Sequence, residues 1–179
     1  MALGLEPAPG PLLVGALDTL RAHRELSVPP PENLHVTLAF LGEIDAAQAE
    51  LAADAVRAVS AGTARWSVAW GKASAFPSLA RPRVLWLGLG DESATNELQA
   101  RLGAELARRN LPVEERPFRP HLTLARVRSG LSREVEESLK TELAAIPPPP
   151  PAEVSALVLY QSRGRRGSPV YEELASAEL

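Results

Sequence analysis

The chain has no cysteine, which excludes disulfides and thiolate-held metals and is compatible with the cytosol. No apolar run approaches the roughly 18–20 residues of a membrane span; the best is the short stretch at residues 11–17. The N-terminus, Met1-Ala-Leu-Gly-Leu-Glu-Pro7, lacks a basic region ahead of an apolar core, so it does not read as a secretory signal. A net charge of −3 leaves no global positive field to gather nucleic acid. What remains is a cytoplasmic globular protein with an ordinary apolar content of 45%. Its 179 residues suffice for one well-cored domain, with room for two lobes.

Only three histidines are present, and two of them sit in copies of one tetrapeptide, His35-Val36-Thr37-Leu38 and His121-Leu122-Thr123-Leu124. β-branched and aliphatic residues predict a strand for each copy, over residues 33–41 and 119–128. On a strand His35 and Thr37 share a face, as do His121 and Thr123, while Val36, Leu38, Leu122 and Leu124 point to the core. His23, at the end of an expected helix, reads as a surface or capping residue.

Taken in order, residues 2–6 predict a short strand and residues 11–24 a helix with Leu13, Leu17 and Leu20 on one stripe. After Pro29-Pro30-Pro31 and the first motif, Asp45 caps a helix to about residue 60. Residues 64–75 read as one strand and residues 83–89 as a central strand buried on both faces. Leu98, Leu102 and Leu106 mark a helix over residues 93–109. Ser132 caps another to about residue 146, and residues 147–151 form a polyproline-like spacer. A strand at 153–162, a turn at 163–167 and a strand at 170–175 predict a closing hairpin. Trp66, Trp70 and Trp86 read as core.

This order is a repeat, with strand, helix, motif strand, helix and strand occurring twice. The motif histidines are 86 positions apart and Leu3-Gly4-Leu5 matches Leu87-Gly88-Leu89 at an offset of 84. The expectation is one bilobal α+β domain over residues 1–179. Repeat 1 covers about 1–80 and repeat 2 about 81–179. Each is a β-α-β-α-β unit with a mostly antiparallel sheet, helices on its outer face, and a cleft between the lobes. The first strand looks cut short against the second copy, by a misplaced start or by loss, and is expected to stay short.

Two imidazoles with pKa near 6.5 suit general acid–base catalysis, one donating and one accepting a proton. Two threonine hydroxyls add donors for developing oxyanion charge, and Arg119 and Arg126, taken to share the His121 strand, add positive charge. Arg116, Arg128, Arg133, Arg163, Arg165 and Arg166 read as solvated surface. The combination fits attack on a phosphodiester without a metal, since neutral hydroxyls and imidazoles make a poor magnesium site.

His35-Val-Thr-Leu-Ala-Phe-Leu-Gly42 and Phe118-Arg-Pro-His-Leu-Thr-Leu-Ala-Arg126 resemble the paired signatures of the 2H phosphoesterases. Within that superfamily they are most similar to the bacterial and archaeal RNA 2′,3′-cyclic phosphodiesterases, also called 2′-5′ RNA ligases. Pro30-Pro31-Glu32-Asn33-Leu34, Phe76-Pro77 with Arg83-Val-Leu-Trp-Leu-Gly88, and Tyr171-Glu-Glu-Leu174 carry the resemblance along nearly the whole chain. The departure is at the N-terminus, where the family opens with a fuller Arg-x-Phe-type strand. The resemblance implies a cofactor-free monomer that takes RNA ends or small nucleotides bearing a 2′,3′-cyclic phosphate and opens the ring to a 2′-phosphomonoester. His35 is then the proton donor, His121 the proton acceptor, and Thr37 and Thr123 hold non-bridging oxygens. The near-symmetry of the motifs leaves the two histidine roles interchangeable on sequence alone. Arg126, counted two residues beyond Leu124 onto the His121 face, is expected to contact phosphate, with Arg119 second. Phe40 is a substrate-side candidate, although core packing is the plainer reading of its parity.

Three rivals remain: 2′-5′ ligation of RNA ends by the same residues, a non-catalytic RNA- or nucleotide-binding module, and a metal-dependent hydrolase. Intact His and Thr in both motifs speak against the second. The lack of adjacent His, Glu or Asp ligands speaks against the third.

Overall fold

The computed structural model describes residues 1–114, 116–163 and 170–179. The turn expected at 163–167 falls largely outside them, with Arg165 and Arg166. Alternating apolar residues build two antiparallel four-stranded sheets in an α+β arrangement of two lobes. In one sheet β7 (Ala152–Arg163) pairs with β1 (Ala2–Glu6), β3 (Trp66–Val68) and β8 (Val170–Glu178). In the other, β2 (Leu26–Ser27), β6 (His121–Val127), β5 (Val84–Leu89) and β4 (Trp70–Phe76) lie side by side in that order. Each sheet draws strands from both halves of the chain.

The helices are α1 (Pro9–Leu12), α2 (Val14–Arg21), α3 (Ala46–Ser60), α4 (Ser93–Arg108) and α5 (Arg133–Ala145). Asp45 and Gln48 form a reciprocal capping box at the start of α3, with bonds of 2.8 and 3.0 Å. The Ser132 hydroxyl accepts from the Val135 N–H to open α5. The expected stripe of Leu98, Leu102 and Leu106 on α4 is buried, as are Leu139 and Leu143 on α5. No helix among the described residues is long and apolar enough to cross a membrane.

Four expectations need correction. The helix at 11–24 is two helices, because Leu13 leaves helical geometry (φ −105°, ψ 4°) while its side chain turns into the core beside Leu17 and Leu20. The strand at 64–75 is also two. The chain crosses between sheets at Ala69, whose carbonyl accepts from the Gly90 N–H at 2.7 Å. β5 is buried on one face only: Leu85, Leu87 and Leu89 are inside, whereas Val84 and Trp86 are partly exposed.

The first motif is not a ladder strand. A 3₁₀ turn, Pro31–Asn33, precedes it, and among the described residues its strand pairing is limited to the single bridges Ala2↔Thr37 and Val36↔Leu122. Its neighbour β1 supplies few partners: the Leu3 N–H donates to the Val36 carbonyl at 3.0 Å and the Leu38 N–H to the Met1 carbonyl at 2.9 Å. β1 itself is short, five residues, but pairs with β7 along its whole length. The pairing around the two motifs nevertheless shares a register. Ala2 lies opposite Thr37 as Trp86 lies opposite Thr123, at the same offsets that relate the two sequence copies.

Candidate active site

Val36 and Leu122, both fully buried, bridge the two motif segments in antiparallel sense. One step along from that bridge, antiparallel geometry sets His35 opposite Thr123 and Thr37 opposite His121. All four side chains lie on the face away from the core, partly or fully exposed, while Leu38 and Leu124 stay inside. The histidines are then diagonal neighbours, and such neighbours are about 7–8 Å apart along a sheet, room for one tetrahedral anion.

The two imidazoles are held alike. His35 Nδ1 donates to the Asn33 carbonyl at 2.8 Å, and His121 Nδ1 to the Arg119 carbonyl at 2.7 Å. A carbonyl only accepts, so each Nδ1 carries the hydrogen and each Nε2 is left for chemistry. Each ring also meets an aromatic pair. Tyr171 stands edge-on to His35 at 4.8 Å with Tyr160 at 5.9 Å; Phe76 stands edge-on to His121 at 5.0 Å with Trp86 at 6.3 Å. Gly88 lies opposite His121 on β5, and a Cβ there would come within 3.1 Å of the Trp86 ring, so its bareness lets the indole lie alongside.

Burial pushes the His35 pKa below its ordinary 6.5. The Asn33 carbonyl opposes that shift, and the charges of the Met1 amino group and of Arg126 reinforce it. Burial also raises the Tyr160 phenol, with the Glu173 carboxylate adding to it.

Arg126 is exposed and close enough to His35 to depress it. Counting two residues beyond Leu124 does not explain this position, because Leu124 points into the core. A β-bulge does: Thr123 pairs with Trp86 but Ala125 with Leu85, leaving Leu124 as an extra residue. The alternation is thereby reset, and Arg126, opposite Val84, shares the face of Thr123 and His121. Arg119 does not share the strand, which begins at His121; its carbonyl anchors His121 and its side chain lines a neighbouring cavity. Pro120 lacks an N–H to extend the ladder back to Arg119.

Phe40 is 70% exposed, so the core reading of that residue fails. Trp70 is buried, with its indole N–H on the Pro150 carbonyl at 3.2 Å. Trp66 is partly exposed against the core, and Trp86 belongs to the His121 surroundings. His23 is neither surface nor cap: half-buried, its Nε2 meets the Glu142 carboxylate at 2.9 Å, joining the end of α2 to α5. Arg116 pairs with Glu114, Arg163 pairs with Glu172, and Arg128 reaches the Ser27 hydroxyl. Among the described residues no group of three or more His, Cys, Asp or Glu is placed to hold a metal ion.

A family model described as the 2′-5′ RNA ligase superfamily matches residues 9–166. The chain belongs to this superfamily. It is 32% identical over 148 residues to the RNA 2′,3′-cyclic phosphodiesterase of Geobacillus stearothermophilus, a match covering 83% of this chain. That match spans 46% of the relative's length, so the chain is about half as long as the protein it resembles there. The crystal structure of a Thermus thermophilus protein superposes with a TM-score of 0.80 at 25% identity, covering 99% of this chain and 95% of that one. Escherichia coli LigT complexed with 3′-AMP superposes with a TM-score of 0.68 at 27% identity, again over 99% and 95%.

For this superfamily member the sequence pattern missed the aromatic shell. Only eight aromatic residues exist in the chain, and four of them, Phe76, Trp86, Tyr160 and Tyr171, surround the two histidines. That scarcity was the available signal. Period-two reading hid it, because Trp86 lies inside an unbroken apolar run.

Proposed function

We propose that the chain hydrolyses terminal RNA 2′,3′-cyclic phosphates to 2′-phosphomonoesters by two-histidine acid–base catalysis without a metal. The observation that carries the reading is the shared restraint of the two motif histidines, each with Nδ1 on the carbonyl two residues before it and Nε2 left for the cleft. The name of the Geobacillus relative supports the substrate class.

In this reaction the cyclic phosphate lies between the motifs, its non-bridging oxygens on the Thr37 and Thr123 hydroxyls and its charge facing Arg126. His121 Nε2 takes a proton from water as the water oxygen bonds to phosphorus. The bond from phosphorus to the 3′ oxygen breaks, and His35 Nε2 delivers the proton which that oxygen needs. The product keeps phosphate on the 2′ oxygen, His121 returns its proton to solvent, and His35 Nε2 takes one up from solvent for the next turnover. Each positioned transfer contributes about 10²–10⁴ in rate. The phosphate anion also offsets the Arg126 charge, the smallest of the influences that disfavour protonated His35 after burial and the Met1 amino group. Phe40 offers an exposed ring for a base, and Arg119 stands at the His121 end. The halves at about 1–80 and 81–179 each supply one motif.

The test is incubation of the protein with a cyclic-phosphate-ended oligonucleotide in EDTA. Conversion to a 2′-phosphomonoester is expected, with His35→Ala and His121→Ala each slower by about 10²–10⁴ and folded as judged by circular dichroism. Absence of conversion, or conversion only on adding metal, overturns the proposal.

A further inference from the structure

Beside His121 lies a cavity of about 260 Å³ lined by Phe76, Trp86, Glu92, Arg119 and Pro120. The acid–base chemistry uses none of its walls directly. Two of them are flat rings: Phe76 stacks on Trp86 with centroids 4.8 Å apart and planes 27° from parallel. The same rings approach His121 at 5.0 and 6.3 Å, which sets the cavity within one nucleotide of the reacting phosphorus.

Its polar groups are unspent. The Trp86 indole N–H is buried with no acceptor, an uncommon and costly condition. Glu92 occupies the N-cap position of α4, yet its carboxylate makes no capping bond; the Asp91 carboxylate accepts from the Ser93 N–H at 2.9 Å instead. Neither Glu92 nor Arg119 has an ion-pair partner among the described residues. A carboxylate and a guanidinium beside an aromatic floor suit a flat heterocycle that offers both donors and acceptors.

Guanine meets this set most fully. Its N1–H and N2–H₂ lie side by side, as the two oxygens of a carboxylate require. Its O6 and N7 accept two parallel bonds from a guanidinium. Adenine and cytosine offer one amino group on that edge. Uracil would set carbonyls on both sides of its single N–H, against the Glu92 charge. We propose that this cavity is a nucleobase subsite that prefers guanine and seats the base of the nucleotide whose cyclic phosphate lies between His35 and His121. This rests on the phosphodiesterase reading and adds base selectivity to it.

The experiment compares kcat/KM for the 2′,3′-cyclic monophosphates of guanosine, adenosine, cytidine and uridine, in EDTA. Guanosine is expected to exceed uridine by about tenfold or more, the scale of one bidentate base contact. Glu92→Gln replaces an acceptor oxygen by an amide donor, and should bring that ratio close to one, mainly through KM. The exposed, unbonded Glu92 side chain makes loss of folding an unlooked-for outcome. Equal kcat/KM for all four substrates, or a ratio unmoved by Glu92→Gln, overturns the subsite. If no cyclic nucleotide is turned over, the phosphodiesterase reading fails, and tryptophan fluorescence titration with 3′-GMP and 3′-UMP decides the subsite separately. About tenfold tighter 3′-GMP binding that Glu92→Gln abolishes supports it, and equal affinities overturn it.

Discussion

Val36 and Leu122 face one another across a single antiparallel bridge, and neither has any exposed surface. This contact registers the two motifs, because the first has no ladder of its own to fix it. Truncating Leu122 to Ala removes the apolar wall under both histidines and should cost about 2–5 kcal/mol of stability, read from the denaturant midpoint. Activity of the folded protein should fall as well, since the His35 segment loses its seat. Unchanged activity in a destabilised variant would show that the bridge is packing alone.

The His35 environment makes a pH prediction. Burial first, then the Met1 and Arg126 charges, favour the neutral ring in the free protein. A proton donor with a depressed pKa loses its proton as pH rises through that lowered value, so the alkaline limb of kcat/KM should lie below 6.5. Arg126→Gln removes a lowering charge and should move that limb upward, while slowing turnover by about 10²–10³ through lost stabilisation of phosphate charge. A limb that moves downward, or NMR titration showing His35 unmoved, would refute this. For folding the sign is opposite to that of a salt-bridged histidine. The stabilising contribution of neutral His35 is present above the unfolded pKa of about 6.5 and is lost as pH falls through the folded value.

Local chemistry was legible wherever a residue acts on its own neighbours. Asp45 and Ser132 cap the helices that follow them, and the leucine stripe of α4 is the buried one. Reading fails where a distant partner decides. Whether residues 33–41 form a strand depends on how much of β1 lies beside them, and the strand at 64–75 changes sheets while Trp66, Val68 and Trp70 keep alternating. Arg126 is the clearest case. Its face is set by an extra residue, Leu124, that only the pairing with β5 reveals. The four motif side chains were readable because the bulge comes only after Thr123, leaving the His-to-Thr parity of each copy intact.

The rings around His35 should matter through shape. Tyr171 meets the imidazole edge-on at 4.8 Å, a contact type that contributes about 0.5–1.5 kcal/mol. Tyr171→Ala should therefore lower kcat by about 2–10-fold by loosening the ring, and Tyr171→Phe should keep most of the activity. If Phe is as damaging as Ala, the phenol hydroxyl itself takes part.

Gly10 supports the same histidine from further away. A Cβ built on it would lie 1.9 Å from the Pro31 carbonyl oxygen, a backbone atom that no side-chain rotation can clear. α1 and the 3₁₀ turn at Pro31–Asn33 would have to separate, and that turn carries the Asn33 carbonyl that fixes His35. Gly10→Ala should cost about 1–3 kcal/mol, the scale of an overpacked contact. Because the strain falls on one histidine, the variant should show a broadened or shifted His35 resonance while the His121 resonance keeps its wild-type position. Equal disturbance of both would mean that the substitution loosens the whole cleft and that Gly10 has no specific part in holding His35.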